Sequence, residues 1–241
     1  MSRYYKIIRK SLTRTEGFIK TYGLSQQLTE NVLQYSKCLV RPNTKDIDDL
    51  IFIAEMSRHF KLYNNFMLNL MYNSLKHPKS PYMTVDEYAR CIFTFLSDNI
   101  DHKIDLVFDV YDVNRDGYIS ITEMFMLLKP VVGSLDMDEN RDESTKELVD
   151  VVVKIYDIKN NPMIDLEAFR YIVKNKEPLC LQLLGPCLPC DEDIEIFRQT
   201  LDSKSMYDIR HYFRKERQEA LAEIEFRPPE KALYPIPLEL P

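Results

Sequence analysis

Residues 112–123 read Asp-Val-Asn-Arg-Asp-Gly-Tyr-Ile-Ser-Ile-Thr-Glu, and this stretch decides how the chain folds. Side-chain oxygens stand at positions 1, 3 and 5 (Asp112, Asn114, Asp116), and Tyr118 at position 7 offers its backbone carbonyl. Ser120 holds position 9, where a water commonly completes the shell, and Glu123 at position 12 can give two oxygens at once. A set of about seven oxygens is what Ca²⁺ accepts and Mg²⁺ does not. Gly117 at position 6 supplies the left-handed residue that lets the backbone wrap an ion. A loop of this kind joins two helices, and both are written in the flanks. Ile104, Val107, Phe108 and Tyr111 line one face of an entering helix, and Met124, Leu127 and Leu128 line the exit.

The same offsets recur along the chain. Shifting 36 residues back gives a loop from Lys76 to Glu87, with Leu68, Met71, Tyr72 and Leu75 entering and Tyr88, Cys91 and Ile92 leaving. A further 36 back gives Val40 to Ile51, with Val32, Tyr35 and Leu39 before it and Phe52 and Met56 after. Shifting 45 forward gives Asp157 to Ala168, flanked by Val149, Val152, Val153 and Tyr156, then Phe169, Ile172 and Val173. Position 8 reads Ile47, Met83, Ile119 and Ile164, the residues expected to pair two by two in short antiparallel bridges. The expectation is an all-α protein with two lobes of two helix-loop-helix units each.

Only the 112–123 loop keeps its ligands. Loop 76–87 has Lys76 at position 1, Pro78 at 3 and Pro81 at 6; an ammonium repels Ca²⁺, and proline cannot take φ > 0. Loop 157–168 keeps Asp157, Asn161 and Asp165 but has Lys159 at position 3, Pro162 at 6 and Ala168 at 12. Loop 40–51 has Val40 and Pro42 where ligands belong. One Ca²⁺ site is expected, its ligands Asp112, Asn114, Asp116, Tyr118, Ser120 and Glu123, with the other three loops kept for packing.

Composition agrees with a helical protein. Only 5 of 241 residues are glycine, too few for many hairpin turns, while 45% are hydrophobic, enough for sizeable cores. A net charge of -6 argues against nucleic acid as partner, and no apolar run is long enough for a membrane span. Five cysteines, no signal segment after Met1 and Ser2 in place of glycine point to an intracellular protein without an N-myristoyl anchor. Cys187-Leu-Pro-Cys190, with Cys180 nearby, lacks a second ligand pair and reads as packing. With His59, His77, His102 and His211 scattered and no phosphate loop or nucleophile elbow, neither an enzyme nor a small-molecule substrate is expected.

The expected organisation is a basic N-terminal arm (1–23), an N-terminal lobe (24–96), a C-terminal lobe (97–178) and a C-terminal extension (179–241). The arm carries Arg3, Lys6, Arg9, Lys10, Arg14 and Lys20 against Glu16, and reads either as a contact for an acidic surface such as a microtubule or as a first helix docked on its own domain. Residues 135–143 read as a linker into a helix capped by Ser144 or Thr145. A charged helix is expected from about Asp191 to Glu225, then a tail with Pro228, Pro229, Pro235, Pro237 and Pro241, extended and suited to docking.

Two segments carry a family resemblance over roughly residues 30–200: FDVYDVNRDGYISITEMFMLLK (Phe108–Lys129) and the more discriminating LLGPCLPCDEDIEIF (Leu183–Phe197). Together with the loop spacings they resemble the calaxin group of ciliary EF-hand proteins, which is similar in fold to the neuronal calcium sensors. The resemblance implies a Ca²⁺-binding adaptor of the cytoplasm and cytoskeleton. It would sit in the axoneme of a cilium or flagellum, associated with the outer dynein arm, its docking complex or tubulin on doublet microtubules. The lost ligands of the second and fourth loops, the basic arm and the long extension depart from that pattern. A second reading is a cytosolic sensor protein similar to calcineurin B, regulating an enzyme or channel.

Overall fold

The computed structural model describes residues 14–40, 46–132, 141–156, 163–176, 178–203 and 208. The fold is mostly helical and follows the repeat. A short helix α1 (14–22) leads to α2 (Gln26–Cys38) and α3 (Asp49–Phe60), which form the first hand, and α4 (Asn65–Leu75) with α5 (Val85–Leu96) forms the second. The third hand is α6 (Ile100–Tyr111) with α7 (Ile121–Val132), and the fourth is α8 (Arg141–Ile155) with α9 (Leu166–Asn175). Strands β1 (Asp46–Ile47) and β2 (Met83–Thr84) pair antiparallel, as do β3 (Tyr118–Ser120) and β4 (Met163–Asp165). Ile47 faces Met83 and Ile119 faces Ile164, the register that the spacing predicts.

Each exit helix starts in the same way. Position 9 of every loop is its N-cap, and its side chain accepts the N–H of position 12: Asp48 from Ile51 (2.8 Å), Thr84 from Glu87 (3.3 Å), Ser120 from Glu123 (3.3 Å) and Asp165 from Ala168 (2.7 Å). This local hydrogen bond satisfies one of the orphan amides of a helix start. It needs no metal, which is why the exit helices of the degenerate hands start as that of loop 112–123 does. The predicted helix faces form the core: of those named above, all are buried except Leu75 and Val153, which are partly so.

The N-terminal lobe closes its bridge with protein groups. Tyr72 on α4 donates its hydroxyl to the carbonyl of Ile47 (2.8 Å) and accepts the N–H of Met83 (3.1 Å), linking the two bridge residues through one side chain. In loop 76–87 the Lys76 ammonium donates to the Ser80 carbonyl (3.1 Å), while Glu87 accepts from the amides of His77 (3.0 Å) and Thr84 (2.7 Å). The cation at position 1 and the anion at position 12 thus hold the loop from within. Deeper in the lobe, buried Glu55 accepts from the Tyr35 hydroxyl and lies 3.3 Å from His59 Nε2. Burial, reinforced by the Glu55 charge, holds the Tyr35 hydroxyl well above its ordinary pKa, so it stays a donor.

The extension differs most from expectation, because residues 178–202 belong to the core. A 3₁₀ turn (Pro178–Gln182) lies on the C-terminal lobe, where the Tyr156 hydroxyl donates to the Cys180 carbonyl (3.0 Å) and Tyr111 donates to that of Gly185 (2.7 Å). These tyrosines stand at the same place in their hands, one residue before the loop. The chain then crosses to the N-terminal lobe as α10 (Asp191–Asp202), which buries Ile194, Phe197 and Leu201 against α2, α3 and α5. Phe197 sits among Phe60, His59 and Tyr35 at ring-centroid distances of 4.8, 5.3 and 5.4 Å. Asn31 donates to the Leu201 carbonyl (2.9 Å), Arg198 to that of Leu96 (2.7 Å), and Lys61 pairs with Asp193 (2.6 Å). Cys180 and Cys187 are buried packing residues, and the Cys190 thiol donates to Asp193 (2.9 Å).

Gly185 marks the crossing point. Its φ of +148° disfavours a side chain, and an added Cβ would stand 2.7 Å from the Met67 sulfur on α4. Gly185→Ala is expected to cost about 1–2 kcal/mol in chemical denaturation, from backbone strain and the displaced Met67 side chain. An unchanged midpoint would show that the crossing is loosely packed.

Three expectations shift in detail. Helix α8 begins at Arg141, before Ser144 and Thr145, and opens on Asp142 and Glu143, which suit the positive end of a helix. Of the N-terminal arm, 14–22 is a docked helix whose Phe18 and Tyr22 rings lie 5.0 and 5.4 Å from Phe93; 1–13 lie outside the described residues. Helix α10 ends at Asp202, and 209–241, with the rest of the charged stretch and the Pro-rich tail, lie outside them too. So do 133–140, which include 135–140 of the linker, 41–45 of the first loop and 157–162 of the fourth.

Candidate metal centre

Loop 112–123 arranges its own side chains as a ring. Asp112 accepts the amides of Asp116 (3.1 Å) and Gly117 (2.8 Å), one on each oxygen. Asn114 accepts the amide of Asp116 (2.8 Å), and Asp116 accepts that of Tyr118 (2.9 Å). The side chains at positions 1, 3 and 5 are therefore turned inward by the backbone that follows them. Gly117 takes φ +88°. Arg115 at position 4 also lies in the left-handed region, with φ +60°.

Glu123 closes the ring from the start of α7. One oxygen accepts the Asn114 amide (3.1 Å) and the other accepts the amide and hydroxyl of Ser120 (both 2.8 Å), a capping box like that of Thr84 and Glu87. Asp112 and Glu123 are both buried. Burial pushes the Asp112 carboxyl above its ordinary range, the Gly117 and Asp116 amides pull it back, and the charges of Glu123 and Asp116 push it up again. Three carboxylates thus share a small volume and repel one another. Among the described residues no three His, Cys, Asp or Glu side chains close on a common point.

The donor chemistry fits a hard cation: three carboxylates, an amide oxygen, a hydroxyl and a backbone carbonyl, all on one loop. Hydrogen bonds within the loop engage the side chains of Asp112, Asn114, Asp116, Ser120 and Glu123, and Tyr118 through its amide. The structure gives three further residues contacts that spacing does not show. Tyr111 anchors the extension, Tyr72 ties the N-terminal bridge, and the Arg115 guanidinium reaches the Asn73 carbonyl on α4. The only trace of the first two in the sequence is a hydroxyl on an otherwise apolar face, where phenylalanine would pack as well.

Comparison with known proteins matches the same region. A family described as "EF-hand domain pair" matches residues 101–174, the third and fourth hands. Calaxin of Xenopus laevis is 28% identical over 199 residues, covering 80% of this chain and 94% of its own length. Calaxin of Danio rerio is 29% identical over 159 residues, covering 66% and 75%. Calcineurin B type 2 of Homo sapiens is 34% identical over 77 residues, but these cover 32% of this chain and 43% of its own. Paired hands, a loop of oxygen donors and likeness to calaxins along most of its length make this chain a calaxin-like, calcium-binding EF-hand protein.

Proposed function

We propose that the protein is a non-enzymatic calcium-binding adaptor of the ciliary or flagellar axoneme, with one ion site in loop 112–123. It would associate with the outer dynein arm or its docking complex on doublet microtubules. The ring of inward-turned oxygens in that loop carries the site assignment. Asp112, Asn114, Asp116, the Tyr118 carbonyl, Ser120 and Glu123 would hold the ion, whose charge offsets the repulsion of three carboxylates. The axonemal part rests on the likeness to calaxins, which extends past the hands into the extension. Because α10 already fills the groove that α2, α3 and α5 form in the N-terminal lobe, partners would be met by other surfaces.

Calcium would be felt first by α7. Met124 and Leu128 are buried there, so any switch that rotates this helix must uncover apolar surface. The shorter calcineurin B match favours a second reading, a cytosolic regulatory protein. Detergent extraction of ciliated cells carrying a tagged protein separates the two. Retention with the axoneme is expected here, and full release into the soluble fraction would favour the second reading.

A further inference from the structure

Helix α4 ends with carbonyls that its own backbone leaves without partners. No basic residue stands in its last turn, where one would suit the negative end of the helix. The Asn73 carbonyl would ordinarily accept the His77 amide one turn on, but Glu87 takes that amide (3.0 Å). Lys76, the nearest cation, is turned to the Ser80 carbonyl (3.1 Å). The missing donor comes from the other lobe: Arg115, at position 4 of loop 112–123, donates its guanidinium to the Asn73 carbonyl. Position 4 is not a ligand position, so the metal chemistry of the loop does not require arginine there. Its backbone lies at φ +60°, within the turn that Asp112 and Asn114 hold by accepting the amides of Asp116 and Gly117.

A second link runs from the other end of the same loop to the same helix. Tyr111, one residue before Asp112, donates to the Gly185 carbonyl, and Gly185 packs on Met67 of α4. Helices α4 and α6 are themselves in contact. The loop is thus tied to α4 through Arg115 at Asn73 and through Tyr111 and Gly185 at Met67.

We propose that Arg115 is a positioning residue that couples loop 112–123 to the N-terminal lobe, so that calcium in the third hand is read at the end of α4. This rests on the reading that the loop binds calcium. Binding would tighten the loop around its ligands, and Arg115 would carry that change to the last turn of α4. The N-terminal lobe would then respond to an ion that none of its own loops can hold.

Amide hydrogen exchange on the full chain, with calcium heats measured in parallel, tests this. In calcium-free buffer Arg115→Ala should speed exchange in the last turn of α4, around residues 72–76, by about two- to fivefold, the range expected for losing a charge at a helix end. In the parent, calcium should slow exchange there. In Arg115→Ala that slowing should vanish although the heats show calcium binding within about fivefold of the parent. Arg115→Lys, which keeps the charge, should restore part of the response. Unaltered slowing in Arg115→Ala would overturn the coupling, as would calcium binding in the parent with no change at α4. Absence of any heat in the parent would overturn the calcium reading and the coupling with it; faster exchange of the alanine variant in calcium-free buffer would still register the contact on its own.

Discussion

A Glu123→Gln variant is expected to lose on the order of 100-fold in calcium affinity while keeping its unfolding free energy within about 1 kcal/mol in calcium-free buffer. The two halves of this result have separate causes. Glutamine is as acceptable as glutamate at the third residue of a helix, and its oxygen can still accept the Ser120 amide. What it gives up locally is the hydrogen bond to the Asn114 amide. Calcium loses far more: one of the loop's three negative charges and the residue able to offer two oxygens together. Changes outside the coordination shell already cost about 10–100-fold at metal sites, so losing this ligand should reach the top of that range or pass it. Isothermal titration of both proteins reads the first half and urea denaturation the second. Equal affinities would sink the assignment of the ion to loop 112–123.

The second large effect is structural. Phe197→Ala is expected to destabilise the protein by about 3–5 kcal/mol, a sum of lost apolar transfer and the cavity left behind. Phe197 is only 2% exposed, and three rings surround it from α2 and α3. Ile196, one residue earlier, is 53% exposed on the same helix, and Ile196→Ala should cost less than about 1 kcal/mol. Urea titrations of the two variants therefore separate a helix that is part of the core from one that merely rests on the surface. If Phe197→Ala costs no more than Ile196→Ala, α10 is detachable and the N-terminal groove is open to partners.

Much of this architecture was legible in the residues because it is local and periodic. A twelve-residue loop places its ligands by backbone geometry alone, and the same offsets predicted the pairs Ile47 with Met83 and Ile119 with Ile164. Capping at position 9 is local as well, which kept the degenerate hands readable after their ligands had gone. The ends of elements were harder. Ser144 and Thr145 lie inside helix α8 rather than capping it, with Asp142 and Glu143 ahead of them, where acids suit a helix as a capping hydroxyl does.

Contacts between distant residues were not legible. The motif LLGPCLPCDEDIEIF was recognisable, yet its job depends on Tyr111, Met67 and Phe60, which lie about 70 to 140 residues before the parts they touch. Periodicity cannot say which chain segment fills a groove, because any apolar helix with suitable spacing could do so. Four hands in two pairs, and one loop with the oxygens to hold calcium, are written in the amino-acid order, since those follow from neighbours along the backbone. That the extension straps both lobes together, and that Arg115 of loop 112–123 reaches the end of a helix in the other lobe, came from the folded chain. Those outcomes depend on which surfaces meet, and long-range packing leaves no period in a sequence.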